Sequence, residues 1–407
     1  MELRVISPGP TFRAASVFIL SCILITAFGC SEKVASDLGF NLLPQDMVGG
    51  LPVQKEFRQV VESATVPGAS ANKGGQARVY VGRLGDYRMR TLLGFRVSLP
   101  PGTVVHSAEL NLYVISLKGE LPLRLSVYLL ERVFKESEVT YELAATGEPW
   151  STPGGDFGSE PLGETLFEGN RIDTVTVTLD PEAVNNRLAY GDSTLPLIIL
   201  GDEQEAVLGL IARESVPTRP VASRLDLIFT IPGETTYSLL ERRAFMDAAI
   251  TSFEGVTGSG VLRVGEVPAS QIFFAYDFSE LPPLATVNQA LLHLWVAGGT
   301  IVDSFLVGAY TADELAYVSA DEPVLGRPTL VVEGDSLLVV DVTRAVQKLV
   351  TGGTSGAGSR YLVISSLSSA NVAGFVEFYP PESPDSLRHP YLSLTYTDIP
   401  STGKPGK

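Results

Sequence analysis

Apolar and polar positions alternate with period two at several places along this chain, the spacing of a half-buried β-strand. In residues 109–115, Leu110, Leu112 and Val114 share one face. Leu125, Val127 and Leu129 do so in 124–130, and Val175, Val177 and Leu179 in 174–179. Residues 224–230 offer Leu225, Leu227 and Phe229. Turn chemistry separates these runs at Pro100-Pro101-Gly102, Gly119 and Gly201-Asp202. Many short strands punctuated by Gly and Pro predict a sandwich or a jelly roll. Helical spacing occurs twice. Asp180 is placed as an N-cap with Pro181 at the first helical position, and Ala183, Val184 and Leu188 follow on one face. Asp341 or Thr343 caps a second helix bearing Ala345, Val346, Leu349 and Val350, ended by Gly352-Gly353. Neither helix carries an evident chemical group, so both read as packing elements.

The pattern repeats. Leu99-Pro100-Pro101, Val105, Ala108, Leu110, Leu112 and Val114 return as Leu281-Pro282-Pro283, Val287, Ala290, Leu292, Leu294 and Val296, each 182 residues on. Val81-Gly82 pairs with Val264-Gly265, Ala183-Val184 with Ala345-Val346, and Leu197-Ile198-Ile199 with Leu362-Val363-Ile364. The closing run 225–230 pairs with 392–397. Matches in one order across the whole unit predict two tandem copies of one domain, and a period near 180 is too long for a solenoid. The expected domains are 53–232 and 244–398, joined by a short polar linker at 233–243. Residues 399–407 read as a tail.

The start of the chain reads as an address. Arg4 and Arg13 precede an uncharged apolar run at 14–28. Fifteen such residues fall short of the roughly 20 that span a bilayer, so 1–29 reads as a signal peptide. Its end, Ala27-Phe28-Gly29-Cys30, resembles the bacterial lipobox, in which the Cys is lipidated and becomes the new N-terminus. Residues 30–52 then hold the lipidated Cys and a tether. Ser31 after the Cys, by resemblance to lipoprotein sorting rules, implies the outer membrane or cell surface. Cys22 leaves with the signal, so Cys30 is the remaining thiol and an intramolecular disulfide is excluded.

Composition narrows the function. Cleavage removes Arg4, Arg13 and Glu2 and takes the formal net charge from −16 to −17. So acidic a chain is unsuited to nucleic acid and to anionic membrane surfaces, leaving the lipid as its membrane contact. Three His and two Cys argue against a multi-ligand zinc or haem site. Apolar residues at 45% supply real cores, so wholesale disorder is not expected.

Four blocks carry a family resemblance. They are the strand block 81–113, the loop Glu138 to Phe157 with Glu148-Pro149-Trp150, the run from Val340 to Ile364, and the closing His389-Pro390-Tyr391 to Tyr396. In order and repetition they resemble the DNRLRE domain, a bacterial extracellular module related to carbohydrate-binding jelly rolls. The resemblance implies an all-β fold of two tandem antiparallel β-sandwiches of jelly-roll type, each with one short helix, and a polysaccharide partner. The string DNRLRE itself is absent; Asn185-Asn186-Arg187-Leu188 holds its place in part. The Trp150 loop has no counterpart in the second copy, which reads Asp313-Glu-Leu-Ala-Tyr317. If the sugar site lies in that loop, the second copy is structural only. Residues 37–44 after Cys30 are similar to the start of an uncharacterised family of outer-membrane lipoproteins.

Candidate sites carry two readings each. Trp150, with Tyr141 and Asp156 nearby, is either an exposed ring on which a sugar stacks or a plug for the end of the sandwich. Tyr113 and Trp295 hold equivalent positions with parity opposite to the inward Leu residues. They are stacking platforms on the outer sheet face, or they lie under a helix or loop. Asp202, Glu203 and Glu205 crowd one turn, which either holds Ca²⁺ or is a solvated acidic turn without a cofactor. His106, His293 and His389 do not align between copies and read as surface or strand residues. No Gly-x-Ser-x-Gly elbow, phosphate loop or His-Glu-x-x-His occurs, so catalysis finds little support. The leading expectation is a cell-surface lipoprotein that binds polysaccharide without cleaving it. A structural envelope lipoprotein contacting other proteins is the second, and a polysaccharide-degrading enzyme the third.

Overall fold

The computed structural model describes residues 51–398, apart from breaks at 69–73, 170–171, 190–193, 216–221, 256–259, 268, 283–284, 303, 320–321, 354–359 and 368–373. The signal peptide, Cys30, nearly all of the tether and the tail lie outside the described residues. In chain order the strands begin with β1 (Val53–Phe57), β2 (Glu62–Pro67), β3 (Arg78–Leu84), β4 (Tyr87–Arg96), β5 (Val104–Gly119) and β6 (Leu123–Leu129). Next come a small hairpin of β7 (Leu143–Ala145) and β8 (Glu148–Pro149), then β9 (Gly163–Phe167) and β10 (Asp173–Leu179). Helix α1 (Pro181–Ala189) precedes β11 (Thr194–Gly201), β12 (Ala206–Ile211) and β13 (Arg224–Thr230). The second series is β14 (Ser238–Arg243), β15 (Met246–Phe253), β16 (Leu262–Glu266), β17 (Ala269–Ala275), β18 (Thr286–Ile301), β19 (Phe305–Ala312), β20 (Thr329–Val331) and β21 (Leu337–Asp341). Helix α2 (Thr343–Gly353) and the strands β22 (Tyr361–Ser366), β23 (Gly374–Phe378) and β24 (Tyr391–Thr397) complete it.

These strands build two large curled antiparallel sheets of one plan, each with one short helix, as tandem β-sandwiches require. The first runs β14-β13-β5-β12-β3-β4-β11-β6-β9, with β10 on β5 and β15 on β4. The second runs β1-β24-β18-β23-β16-β17-β22-β19-β20, with β21 on β18 and β2 on β17. The long strand of each plan has 16 residues and joins both layers of its sandwich. The first part of β5 pairs with β13 and β10, its last part with β12. Its inward positions follow the alternation: Ala108, Leu110, Leu112 and Val114 are buried in the core. The pairing glycines Gly82 and Gly265 serve a close approach, since a Cβ would meet Ala206 O at 2.1 Å or Phe375 Cβ at 2.5 Å.

The helices do one job in both copies. Asp180 accepts from the Glu182 N–H (2.9 Å), and Asp341 from the N–H of Thr343 (3.0 Å), capping each start. From α1, the Asn185 amide accepts from the Val105 N–H and donates to the Val105 carbonyl, both at 2.8 Å. From α2, Gln347 accepts from the Val287 N–H (2.6 Å) and donates to the Ala285 carbonyl (3.3 Å). Each amide closes a buried backbone gap at the start of the long strand, which otherwise would cost the desolvation of those groups.

The sequence repeat and the grouping of strands differ at the start of each copy. β14 lies inside 233–243, the stretch expected as a linker, and pairs with β13 over six residues. β15 then pairs with β4, so Ala244 and Ala249 enter the first core although they open the second sequence copy. The equivalent strands of the first copy complete the second sandwich. β1 pairs with β24 and β2 with β17, and Phe57 sits in the second core. The cause is a hairpin: β14 follows β13 directly, and so takes the edge that β1 would otherwise hold. β24 is the last strand among the described residues, and β1 fills the corresponding edge.

The two sandwiches belong to one compact unit, Pro52–Thr397. Tyr87, Phe253 and Phe375 form a ring triad between them, with centroids 5.1, 5.4 and 6.0 Å apart. Tyr80, Met89, Val207 and Val267 pack around it.

Candidate functional site

The Trp150 loop is a cover. Trp150 is 4% exposed and its indole N–H donates to the Thr140 carbonyl (3.1 Å). It packs with Phe134, Val139 and Ala144 of the loop against Leu92, Ile198, Ala248 and Ile250 on the outer side of β4, β11 and β15. The stacking reading of Trp150 is therefore corrected: no ring face is open, because the loop needs its apolar area to seal that sheet. Tyr141 is half-buried, with the Arg90 guanidinium 5.6 Å from its ring centre, and Arg90 also donates to Gly154 O (2.6 Å). Asp156 is buried. It accepts from the Thr152 N–H (3.0 Å) and the Ser151 hydroxyl (3.2 Å), and pairs with Arg132 (3.3 Å). Burial pushes its carboxyl up, but the N–H groups of Ser151 and Thr152, the Ser151 hydroxyl and Arg132 outweigh this and hold it below the usual range. These three residues bolt a loop down.

The acidic turn is occupied by arginines. Glu203 takes both Arg83 (2.8 Å) and Arg88 (2.5 Å), and Glu205 accepts from the Gly85 N–H (2.7 Å). Asp202 accepts from the Gln204 N–H (3.2 Å), closing its own turn. The oxygens expected for Ca²⁺ thus serve the pairing of β3 and β4 with this turn.

Tyr113 and Trp295 do lie on the outer sheet face, as their parity requires, and both are half-buried. Around Tyr113 the face is polar. The Thr176 hydroxyl donates to Asn111 Oδ1 (2.7 Å), Asn111 Nδ2 to Asp226 Oδ2 (2.9 Å), and Arg224 to the same oxygen (2.8 Å). Arg224 also meets Glu241 at 3.3 Å. The ladder crosses β10, β5, β13 and β14 and holds each side chain in place. The indole N–H of Trp295 is buried without a hydrogen-bond partner among the described residues, so its polar edge is shut off from solvent.

Beside Trp295 the second sheet brings together groups that the sequence did not mark as a site, among them His293, expected as a surface or strand residue. His293 on β18 and Tyr391 on β24 stand opposite each other and stack with centroids 4.2 Å apart and planes within 3°. The Arg58 guanidinium lies 4.7 Å from the Tyr391 ring centre and donates to Glu56 (2.9 Å). His293 Nε2 is 3.1 Å from the Ser393 hydroxyl. Burial lowers the His293 pKa; Glu56 opposes this and Arg58 adds to it. Next to the stack runs an open groove of about 310 Å³ lined by Gln54, Glu56, Gln289, Ser393 and Thr395. Alternation in 391–396 signals the outward Tyr391, Ser393 and Thr395. No local signal places Gln54, Glu56 and Arg58 beside them, because β1 is more than 300 residues away in the chain.

No family model matches this chain. No curated protein matches it. Among solved structures, the N-terminal CBM22-1-CBM22-2 tandem domain from Paenibacillus barcinonensis Xyn10C is similar over 84% of this chain and 97% of that one, at 11% identity and a TM-score of 0.18. That likeness assigns no residue a role.

Proposed function

We propose that this chain binds polysaccharide without cleaving it, and is held at the outer membrane or cell surface by a lipid on Cys30. One observation carries the binding reading: a stacked aromatic pair beside an open polar groove on the outer face of the second sheet. Sugars present C–H faces to rings and hydroxyls to amides, carboxylates and hydroxyls. The groove offers Gln54, Gln289, Ser393 and Thr395 for the hydroxyls, with the His293–Tyr391 stack at its end. Its carboxylate, Glu56, is tied to Arg58, which suits it to accepting hydroxyl hydrogen bonds rather than to proton transfer. The acidic surface selects a neutral or cationic glycan.

The test is retention of the full chain, in detergent, on a panel of insoluble and immobilised polysaccharides. Retention on one neutral or cationic class, lost in Tyr391→Ala and kept in Trp150→Phe, is the expected result. Equal retention of wild type and Tyr391→Ala would move the site elsewhere. No retention on any glycan would favour the protein-partner reading, for which the first sheet supplies a surface. Ile228 and Leu239 face each other across β13 and β14 and are 41% and 63% exposed, with Tyr237 and Val104 also exposed.

A further inference from the structure

Away from the groove, three segments of the first sandwich bring carboxylates together. Glu136 comes from the cover loop, Glu214 from a short turn after β12, and Asp247 from β15. One oxygen of each lies within 4.8 Å of the others. Asp247 is 1% exposed. Its Oδ2 accepts from the Arg213 N–H (2.6 Å), while its Oδ1 is buried and has no hydrogen-bond partner among the described residues. Glu136 accepts from the Asp247 N–H (2.9 Å). The Arg213 side chain donates to Glu136 (3.0 Å), to Glu214 (2.7 Å) and to the Phe245 carbonyl (2.7 Å).

The charge does not balance. Among the described residues three carboxylates face one guanidinium, which leaves two negative charges, one of them on a buried group. A buried unpaired charge is costly and is ordinarily met by a cation or by a proton. We propose that Asp247, Glu136 and Glu214 bind a divalent cation of the size and hardness of Ca²⁺, with Asp247 Oδ1 as its innermost ligand. Oxygens around Ca²⁺ at about 2.3–2.6 Å lie up to about 5 Å apart, which the cluster satisfies. All-oxygen ligands and partial access through the exposed Glu214 suit Ca²⁺ better than Zn²⁺.

Among the described residues the second sandwich has no equivalent cluster. Asp247 pairs with Leu93, which pairs with Leu197. The equivalent chain of pairs in the second sheet leads from Leu362 through Phe274 to Ser63. Serine there provides no charge. The ion therefore serves a need special to the first sandwich: it ties β15, supplied by the second sequence copy, to the loop that carries Trp150.

The experiment uses the full chain in detergent, stripped with chelator, with Ca²⁺ alone as the probe. Calorimetry is expected to show one saturable equivalent with a dissociation constant of about 1 mM or tighter, the range of extracellular calcium sites. The melting temperature followed by Trp150 fluorescence, with Trp295→Phe in place, is expected to rise by about 5 °C at saturating Ca²⁺. Glu214→Gln, at an exposed position, is expected to weaken binding at least tenfold while leaving the chelated protein folded. Asp247→Asn is expected to remove the thermal response. No saturable binding up to about 10 mM would overturn the proposal and assign the second charge to a proton on Asp247. Equal binding by wild type and Glu214→Gln would overturn it by placing the ion elsewhere.

Discussion

Replacing Phe57 by Ala tests the exchange of strands directly. Phe57 lies in the first sequence copy, yet its ring is 8% exposed in the core of the second sandwich and meets Phe278 edge-on at 5.3 Å. Phe→Ala at a well-buried site costs about 3–5 kcal/mol; for an end residue of an edge strand the low end, about 3 kcal/mol, applies. With a urea m-value of about 2 kcal/mol/M, the midpoint falls by about 1.5 M. The chain carries two Trp, and they report on different sandwiches: Trp150 on the first and Trp295 on the second. Urea titrations of Phe57→Ala are made in two backgrounds, each with one Trp changed to Phe. The Trp295 transition is expected to move by about 1.5 M and the Trp150 transition by less than about 0.5 M. Deleting residues 53–67 is the sharper form: Trp295 emission loses its native value and Trp150 emission keeps it. A shift seen by Trp150 and absent from Trp295 would refute the exchange and return β1 to its own sequence copy.

Two further outcomes follow from the same geometry. Trp150→Ala removes a ring with 4% exposure and one hydrogen bond, and is expected to lower the stability of the first sandwich by about 3–4 kcal/mol in urea denaturation, while glycan retention persists. His293 is held neutral by burial, so its contribution to stability is full above its ordinary value near 6.5 and is lost as pH falls below it. The Trp295 urea midpoint is expected to drop between about pH 7.5 and 5.5, and to drop less in His293→Gln; an equal drop in both would show that Glu56 offsets the burial.

What could be read from the sequence was whatever a single strand or helix encodes on its own. Period-two alternation placed Leu110, Leu112 and Val114 inward and Tyr113 outward, because a pleated strand admits no other assignment once one face is buried. The caps of α1 and α2 were legible for the same local reason. Partnership across the chain was not. Nothing within 53–67 distinguishes a strand that pairs with β4 from one that pairs with β17, since both copies offer the same edge. The choice is made by chain connectivity: β14 and β15 follow β13 through a short turn, at a lower loop-closure cost than a segment returning from the N-terminus. That choice also decides where the candidate groove can form. Gln54, Glu56 and Arg58 reach Tyr391 and Ser393 only because β1 takes this edge, so the outer face of the second sheet gains an amide, Gln54, where β14 would have brought Leu239. At the positions of Gln54 and Glu56 on the first sheet stand Leu239 and Glu241 of β14, and the face there is an apolar patch beside an ion pair. Two sheets of one plan thus carry different surfaces, and the difference comes from the strands that changed places.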